Sequence, residues 1–269
     1  MTDAETLAAE RAHQPDDAYF DLMAQIARTH WWYRARRAVL ADHLAGRVRR
    51  GSRALDVGTG TGETLEVLRD AGAAVTAGTD LSLVALGHAH RRRPAPVVLS
   101  SYAEQLPFAD ATFACVTSTD VIEHLDDDVR ALREYARVTE PRGWIVLTVP
   151  AYRGLWSEHD ERAAHRRRYT ASQLADTLAA AGLEVHEVTH LFSFLLLPAL
   201  LLRCTPLRRF VSGTDDEAAE ASPLLTSVFD LLCRVERRVL RGGLRLAAGL
   251  SILAVARVPE AGDRVTGDV

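Results

Sequence analysis

One short segment has the residue types and spacing of a nucleoside-binding site. Asp56 is followed at alternate positions by Gly58, Gly60 and Gly62. Glycines let the backbone turn tightly and approach a ligand with no Cβ in the way. Asp80 comes about twenty residues later, where a carboxylate at the end of a second strand can accept both hydroxyls of a ribose. The segment therefore predicts that a nucleoside binds at the glycine turn.

The glycine spacing distinguishes two nucleoside-binding interpretations. A dinucleotide fingerprint needs a third glycine three places after Gly60, and that position is Glu63. The Asp-x-Gly-x-Gly-x-Gly form, with Asp80 behind it, instead resembles the S-adenosylmethionine (SAM) site of class I methyltransferases. The resemblance implies that SAM is the cofactor, and that Thr59 and Leu81 contact it together with the acid and glycine positions.

Further cofactor contacts are expected after two later strands. Tyr102, Ala103 and Glu104 follow the third predicted strand, where the resemblance implies contacts with the adenine ring. The family usually has an acid where Tyr102 stands, so an aromatic residue replaces the expected hydrogen-bond acceptor. Asp120 ends the fourth predicted strand, which in class I methyltransferases faces both SAM and the acceptor.

The segment 30–37 combines three consecutive aromatic residues with arginines. It has two interpretations. The aromatic side chains can anchor a helical cap to the core, with the arginines in solvent. Alternatively, the segment is a lid in which Trp31 and Arg36 contact the cofactor, and Arg36 or Arg37 reaches a carboxylate or phosphate.

Two acids and a histidine stand together after the fourth predicted strand. They are Asp120, Glu123 and His124. A similar acid-x-x-Glu-His group binds a divalent metal in the ubiquinone-pathway O-methyltransferases, so the resemblance implies a cation site at these positions. Such a cation could polarise a phenolic oxygen. The alternative is that Glu123 and His124 only begin the next helix.

A polar loop beyond the fifth predicted strand is the candidate acceptor site. It contains His159, Asp160, His165 and Tyr169. A histidine can take up a proton near neutral pH, and Asp160 can orient it. We therefore predict His159 or His165 as the base, with Asp160 and Tyr169 as further catalytic residues. The alternative is an arginine-rich loop that caps the following helix.

Alternating strands and helices must position these residues. The pattern predicts an α/β fold with a doubly wound parallel sheet and ligands at the carboxyl ends of the strands. The segment 251–257 resembles the antiparallel seventh strand of class I methyltransferases, which implies a Rossmann-like, seven-stranded, mostly parallel sheet. The other strands are expected near 53–57, 74–79, 96–100, 113–118, 144–149 and 183–188, and the helices near 62–71, 82–92, 126–138 and 170–181.

Helical segments are expected before the first strand of this sheet and between its sixth and seventh strands. We predict a tail and helical cap at 1–50, a SAM-binding domain at 51–190 and 249–260, an apolar helical insertion at 191–248, and a tail at 261–269. Residues 1 to about 15 and the acidic segment 214–220 are expected to be mobile.

The insertion contains an amphipathic helix at 223–241 whose arginines lie opposite its apolar residues. It is interpreted either as a helical hairpin on the core or on a second subunit of a homodimer, or as an apolar lid or membrane-surface foot that serves a lipophilic acceptor. The apolar positions at helical spacing are Leu225, Val228, Leu232, Val235 and Val239.

Composition excludes several classes of protein. The chain has 269 residues with a net charge of −4, so no overall basic field indicates nucleic-acid binding. Its 3 cysteines are widely spaced, and the first residues contain no apolar run. We therefore expect a reducing, cytoplasmic location, with contact at the inner face of the membrane as an option. All 32 basic residues are arginine, which excludes Schiff-base lysine chemistry.

The cap, the acid–histidine segment and the polar loop occur together between about residues 19 and 258. This set resembles a bacterial branch of class I SAM-dependent methyltransferases that act on small molecules and lipids. The resemblance implies methyl transfer to a small or lipid-like acceptor, with O-methylation favoured. Two alternatives are a nicotinamide oxidoreductase, against which Glu63 argues, and a non-catalytic SAM-binding or membrane-associated partner protein.

Overall fold

A single sheet forms the centre of the fold. The structure, a computed structural model, describes residues 17–203 and 222–260. The strands are β1 (Arg53–Val57), β2 (Val75–Asp80), β3 (Val97–Ser100), β4 (Phe113–Thr119), β5 (Thr139–Pro150), β6 (Glu184–Leu191) and β7 (Ser251–Arg257). Their order in the sheet is β3-β2-β1-β4-β5-β7-β6.

The pairing confirms the predicted seven-stranded, mostly parallel sheet. Strands β1 to β5 pair in parallel, while β7 runs antiparallel between β5 and β6. The direction in which successive strands are added to the sheet reverses at β1, which has β2 on one side and β4 on the other. In a doubly wound sheet, this reversal opens a crevice at the carboxyl ends of the strands. The glycine turn follows β1 and therefore lies at that crevice.

Helices cover the two faces of the sheet. Side-chain caps define several of their starts, since Ser82 accepts the amide of Ala85 and Thr170 forms a reciprocal capping box with Gln173. The helices are α1 (Asp17–Ile26), α2 (Trp31–Leu44), α3 (Glu63–Asp70), α4 (Leu83–His90), α5 (Asp128–Val138), α6 (Glu158–Arg162), α7 (Ala171–Ala180), α8 (Leu196–Arg203) and α9 (Pro223–Arg241). Short 3₁₀ turns occur at Ile122–His124, Arg153–Leu155 and Ser193–Leu195.

The alternation of side chains along β5 divides the core into two layers. Ile145 and Leu147 face a layer that includes Leu132 of α5 and Leu174 of α7. Val146 points the other way, because successive strand residues project to opposite faces. That second layer also contains Leu40 and Leu44 of α2, Leu68 of α3 and Leu240 of α9. Helix α2 and helix α9, the helix before β7, thus share one face of the sheet.

Four boundaries differ from the prediction by two residues or more, among them the end of β6 at Leu191 and the end of α4 at His90. Strand β5 begins at Thr139, because residues 140–143 form an irregularity within the strand where its register to β4 shifts. Arg142 there adopts a φ of +63°. The helix expected from 126 instead starts at Asp128, after the separate 3₁₀ turn.

Several predictions are not tested by these elements. The division into cap, SAM-binding domain and insertion stays a prediction, although α9 has the bounds expected for the amphipathic helix. The expectations for residues 1–15, 214–220 and 261–269 lie outside the described residues. No helix in the described part of the chain is both long enough and apolar enough to cross a membrane.

Candidate functional site

The glycine turn after β1 forms a cradle that is open on one side. Gly58 and Gly60 adopt φ angles of +68° and +51°, which side-chain-bearing residues rarely adopt. A Cβ at Gly58 would collide with the side chain of Val121, so the turn is closed there. A Cβ at Gly60 would meet nothing within 4 Å. Gly62 then forms the N-cap of α3. The free space at Gly60 is where a ligand can approach the backbone.

Asp80 stands across this turn at the end of β2. Its Oδ2 accepts the amide of Gly60 at 2.8 Å, and its Oδ1 accepts the amide of Ser82 at 2.9 Å. Burial raises the pKa of Asp80, and these backbone hydrogen bonds oppose the shift. Leu81 continues the same turn, and the amide of Thr59 donates to Thr79 at 2.8 Å. The predicted ribose acceptor is therefore fixed beside the open glycine.

Asp56 lies beneath the turn and not on its open side. Its side chain is fully buried, and its Oδ1 accepts the hydroxyl of Thr117 at 2.7 Å. Burial raises the pKa of Asp56 to about 7, against the opposing hydrogen bond from Thr117. Because Thr117 belongs to β4, this contact links the two central strands under the cradle. The geometry favours a supporting role for Asp56 in the cofactor site.

An ion pair joins the N-terminal helices to the end of β4. Arg36 of α2 donates to Asp120 Oδ2, and the hydroxyl of Thr148 donates to Asp120 Oδ1 at 3.1 Å. Asp120 adopts a φ of +54°, an uncommon angle for a residue with a side chain. The structure thus brings together two predicted cofactor residues that are 84 positions apart in sequence.

Trp31 occupies the hydrophobic core, as the anchor interpretation of the aromatic segment expects. Its ring centroid lies 4.6 Å from that of Phe229 and 6.3 Å from that of Phe192. The side chain is buried in the layer beneath α2 and α9. The predicted contact of Trp31 with the cofactor stays a prediction, while Arg36 of the same segment reaches the edge of the sheet.

The segment after β3 contains the residues that are predicted to contact adenine. Ala103 is buried, whereas Tyr102 and Glu104 are partly exposed. Glu134 of α5 accepts the amide of Leu106 at 2.8 Å and so holds the following turn. The contacts of this segment with a cofactor stay a prediction.

A second cluster surrounds Asp160 of α6. This buried carboxylate accepts Nδ1 of His165 at 2.8 Å and two nitrogens of Arg168 at 2.7 and 2.9 Å. Burial alone would raise the pKa of Asp160, but the hydrogen bonds from His165 and Arg168 outweigh it and hold that pKa below its usual range. With Nδ1 donating to Asp160, Nε2 of His165 is left to accept a proton. The predicted pairing of Asp160 with a histidine is present.

Nε2 of His165 faces Glu123, whose Oε1 lies 3.9 Å away. One ligand atom from each of Glu123, His124 and His165 falls within 4.8 Å of the others. Glu123 is fully buried, and among the described residues neither of its carboxylate oxygens has a hydrogen-bond partner. Burial raises the pKa of Glu123 well above its usual range, and burial lowers the pKa of His124 to about 4.

This arrangement changes the predicted metal-ligand set. Asp120 is engaged by Arg36 and Thr148 and lies outside the cluster, so its assignment as a ligand is corrected. His165 takes its place beside Glu123 and His124. The sequence motif could not include His165, because the loop between β5 and α7 brings it to the 3₁₀ turn.

The remaining predicted catalytic residues differ in position. The ring of His159 lies 5.7 Å from that of His165, so this histidine belongs to the same cluster. Tyr169 is buried, and its hydroxyl donates to Asp128 Oδ2 at 2.6 Å. Burial raises the pKa of Tyr169, and the bond to Asp128 adds to the shift. Tyr169 therefore holds the start of α5 through this hydrogen bond, and its catalytic role stays a prediction.

One residue of the cluster was not expected from the sequence. The buried Arg168 binds Asp160 through two nitrogens and donates to the carbonyl of Ala151 at 3.1 Å. Its signal in the sequence was the run of arginines from 166 to 168, which was interpreted only as part of an arginine-rich loop that caps the following helix. Arg168 is instead the positive charge that offsets the buried carboxylate.

The fold and the cradle define a Rossmann-like domain of the class I methyltransferase type. A family model described as "Methyltransferase domain" matches residues 28–188, and the chain belongs to this family. The demethylmenaquinone methyltransferase of Paenarthrobacter aurescens (strain TC1) is 36% identical over 133 residues, which cover 47% of this chain and 51% of that protein. The malonyl-[acyl-carrier protein] O-methyltransferase of Pseudescherichia vulneris is 35% identical over 149 residues, 52% of this chain and 59% of that protein. The chain spans between half and two thirds of the length of these two curated relatives.

Solved structures share the fold at low sequence identity. A phosphoethanolamine N-methyltransferase 2 of Haemonchus contortus in complex with SAM superposes with a TM-score of 0.61 at 18% identity, covering 91% of this chain and 58% of that one. The [4+2]-cyclase SpnF superposes with a TM-score of 0.55 at 23% identity, covering 83% and 82%. These likenesses concern the fold alone, and a cyclase among them illustrates that the fold does not fix the reaction.

Proposed function

We propose that this chain is a SAM-dependent methyltransferase that acts on a small-molecule acceptor. The observation that carries the proposal is the cradle, where Gly60 leaves open space directly beside the Asp80 carboxylate. Membership of the methyltransferase-domain family and the names of the curated relatives support it. A lipophilic acceptor is supported by α8, whose exposed Leu197 and Leu201 belong to a helix in contact with the Arg153–Leu155 turn.

The residues around the cradle fit the parts of the cofactor. Asp80 suits the ribose hydroxyls, and the backbone at Gly58, Gly60 and Gly62 allows close approach of the ligand. The opposite charges of Arg36 and Asp120 match the carboxylate and ammonium groups of an amino acid. SAM supplies a methyl group on a sulfonium at this site when bound.

We assign proton removal from the acceptor to His165. Asp160 holds its Nδ1, so that Nε2 is the basic atom. A bound SAM would supply the methyl group to the acceptor oxygen, and Nε2 of His165 would accept the proton that this oxygen loses. Most of the rate enhancement should come from holding the two reactants in line. His159 lies beside His165 and is the alternative base.

Replacement of Asp80 tests the cofactor assignment. Asp80→Ala should weaken SAM binding by about 1.5–3 kcal/mol, roughly ten- to hundredfold, because it removes hydrogen bonds to a charged group. Titration calorimetry of the folded protein measures this change. Asp70→Ala, which removes an exposed carboxylate at the end of α3, is the matched control. Unchanged SAM affinity in Asp80→Ala would reject the cradle as the SAM site. Binding of NADH in place of SAM would support an oxidoreductase.

We also propose a divalent cation at Glu123, His124 and His165. A buried carboxylate with no hydrogen-bond partner among the described residues, beside two imidazoles, is a donor set that suits Mn²⁺ or Zn²⁺. A cation there would take Nε2 of His165 and polarise the acceptor oxygen, so this proposal competes with the proton-removal role of His165.

The cation proposal has a readout besides activity. Chelator-treated protein should bind about one Mn²⁺ or Zn²⁺ per chain in calorimetry, with a rise in Tm that Glu123→Gln abolishes. His88→Gln, at a histidine paired with Asp21 on α1, serves as the control. If neither metal content nor Tm depends on Glu123, the cluster holds no cation and His165 keeps its role as the base.

A further inference from the structure

The two faces of helix α9 have opposite surroundings. Its inner face is fixed to the body of the protein, since Phe229 contacts the ring of Trp31. Glu236 also accepts the amides of Phe192 and Ser193 at 2.6 and 2.8 Å. Leu240 is buried in the same layer. The helix therefore has a defined orientation, and its outer face is a fixed surface.

The outer face of α9 is an exposed apolar stripe. Leu224 and Leu231 have 77% and 53% of their surface exposed, and Val228 and Val235 are similarly open to solvent. At 100° per residue these positions fall on one side of the helix, together with Leu232. From Leu224 to Val235 the stripe is about 17 Å long, on a helix of 19 residues. A contiguous apolar surface of this kind marks a site of interaction.

Exposed arginines lie along the C-terminal half of α9, beside and beyond the end of the stripe. Arg234, Arg238 and Arg241 are exposed and follow one another along an adjacent side of the helix. Within the described residues, Arg234 and Arg238 form no ion pair with a carboxylate, and Arg241 lies 3.9 Å from Asp42. Arg237 behaves differently, because it turns inward and binds Asp42 of α2 through two nitrogens. The outer surface of α9 is thus both apolar and positive.

We propose that the outer face of α9 docks the protein on an anionic lipid bilayer. The helix lies in the plane of the membrane surface, its apolar stripe at the boundary between headgroups and acyl chains. Arg234, Arg238 and Arg241 contact the lipid phosphates. This occupant matches both properties of the face, because a lipid surface offers apolar chains next to negative headgroups.

A second copy of the chain matches the face less well. The acids of α9 are Asp230 and Glu236, and both are used within the molecule, Asp230 by Arg34 and Glu236 by two backbone amides. A symmetric pair of α9 helices would therefore bring arginines together without carboxylates of the helix to neutralise them. A nucleic acid would neutralise the arginines but leave the apolar stripe exposed.

Sedimentation with vesicles tests the proposal on the full chain. The protein should sediment at low salt with vesicles of phosphatidylcholine mixed with phosphatidylglycerol, stay in solution with phosphatidylcholine alone, and dissociate at high salt. The double variant R234Q/R238Q should bind at least about tenfold more weakly, because each arginine raises partitioning by roughly fivefold. L231D/V235D should also lose binding.

A matched control and the oligomeric state decide the outcome. R130Q/R133Q removes two exposed arginines from α5, which packs on the opposite face of the sheet, and should bind vesicles like the wild type. All variants should keep the circular-dichroism spectrum and the SAM affinity of the wild type. Equal sedimentation with both vesicle types, or no loss in R234Q/R238Q, would overturn the proposal. A dimer that L231D/V235D dissociates, without vesicle binding, would assign the face to a second copy.

Discussion

The glycine cradle and the acid–histidine cluster, which consists of Glu123, His124, Asp160 and His165, lie at the same edge of the sheet but are built in different ways. The cradle is nearly continuous in sequence, and its shape comes from the φ angles of Gly58 and Gly60. The cluster is assembled from the 3₁₀ turn at Ile122–His124 and from the loop that holds Asp160 and His165. A site formed by backbone conformation can thus be recognised in the sequence as a motif, whereas a site formed by contacts between distant side chains cannot.

The electrostatics of the two regions differ as well. Asp160 in the cluster is buried with a positive partner, Arg168, and its pKa is held low. Asp56 beneath the cradle is buried with a neutral partner, Thr117, and its pKa is raised. Burial acts in the same direction on both carboxylates, so the partner decides the sign of the shift. Stability should therefore respond in opposite ways when each acid is replaced.

Asp160→Ala should have the largest effect. It leaves the buried Arg168 without its carboxylate, and removal of one partner of a buried ion pair costs about 3–5 kcal/mol of unfolding free energy. Urea unfolding measures the loss. Asp176→Ala, an exposed acid on α7, should cost little. If Asp160→Ala unfolds like the wild type, the pair does not stabilise the loop. If the folded variant binds SAM much more weakly, the cluster and the cradle are energetically coupled and are not two independent regions.

Asp56→Asn should stabilise the protein without SAM, by an amount that depends on pH. Since the pKa of Asp56 rises on folding, the folded state keeps a proton that the unfolded state releases above pH about 4. Wild-type stability thus falls between pH 4 and about 7 relative to the variant. The gap should reach on the order of 4 kcal/mol, because the pKa rises from 3.8 to about 7 and each pKa unit corresponds to about 1.4 kcal/mol.

Urea unfolding at several pH values measures this gap. The asparagine keeps an oxygen for the Thr117 hydroxyl, so packing changes little. Asp70→Asn, at an exposed site, should show no such pH dependence. A gap that stays constant from pH 4 to 8 would mean that Asp56 titrates alike in the folded and unfolded states, and the inferred difference from Asp160 would be wrong.

Tyr169→Phe should have the smallest effect, and it tests whether Tyr169 takes part in catalysis. The hydroxyl is used in a hydrogen bond to Asp128, so its loss should cost about 1 kcal/mol of unfolding free energy. The methyl-transfer rate should stay within about twofold of the wild type. A rate loss of tenfold or more at unchanged stability would show that Tyr169 is a catalytic residue.

Much of the fold was predictable because its signals are local. Hydrophobic periodicity and capping residues act within a few positions of the chain. They predicted α9 at Pro223–Arg241 and placed both ends of six strands within a few residues of the observed ends. The start of β5 was missed because the chain around Arg142 bends within the strand, and only pairing with β4 extends it. The cradle was predictable for the same local reason, since glycine is the residue that tolerates positive φ.

The order of elements, the glycine turn with Asp80 behind it, and the amphipathic character of α9 thus follow from local sequence patterns. The outward side of α9, the contact of Arg36 with Asp120, and the approach of His165 to Glu123 follow instead from long-range packing. These contacts connect residues that are remote along the chain. Their formation depends on how helices and loops pack against the sheet, and no local preference of the backbone encodes that packing.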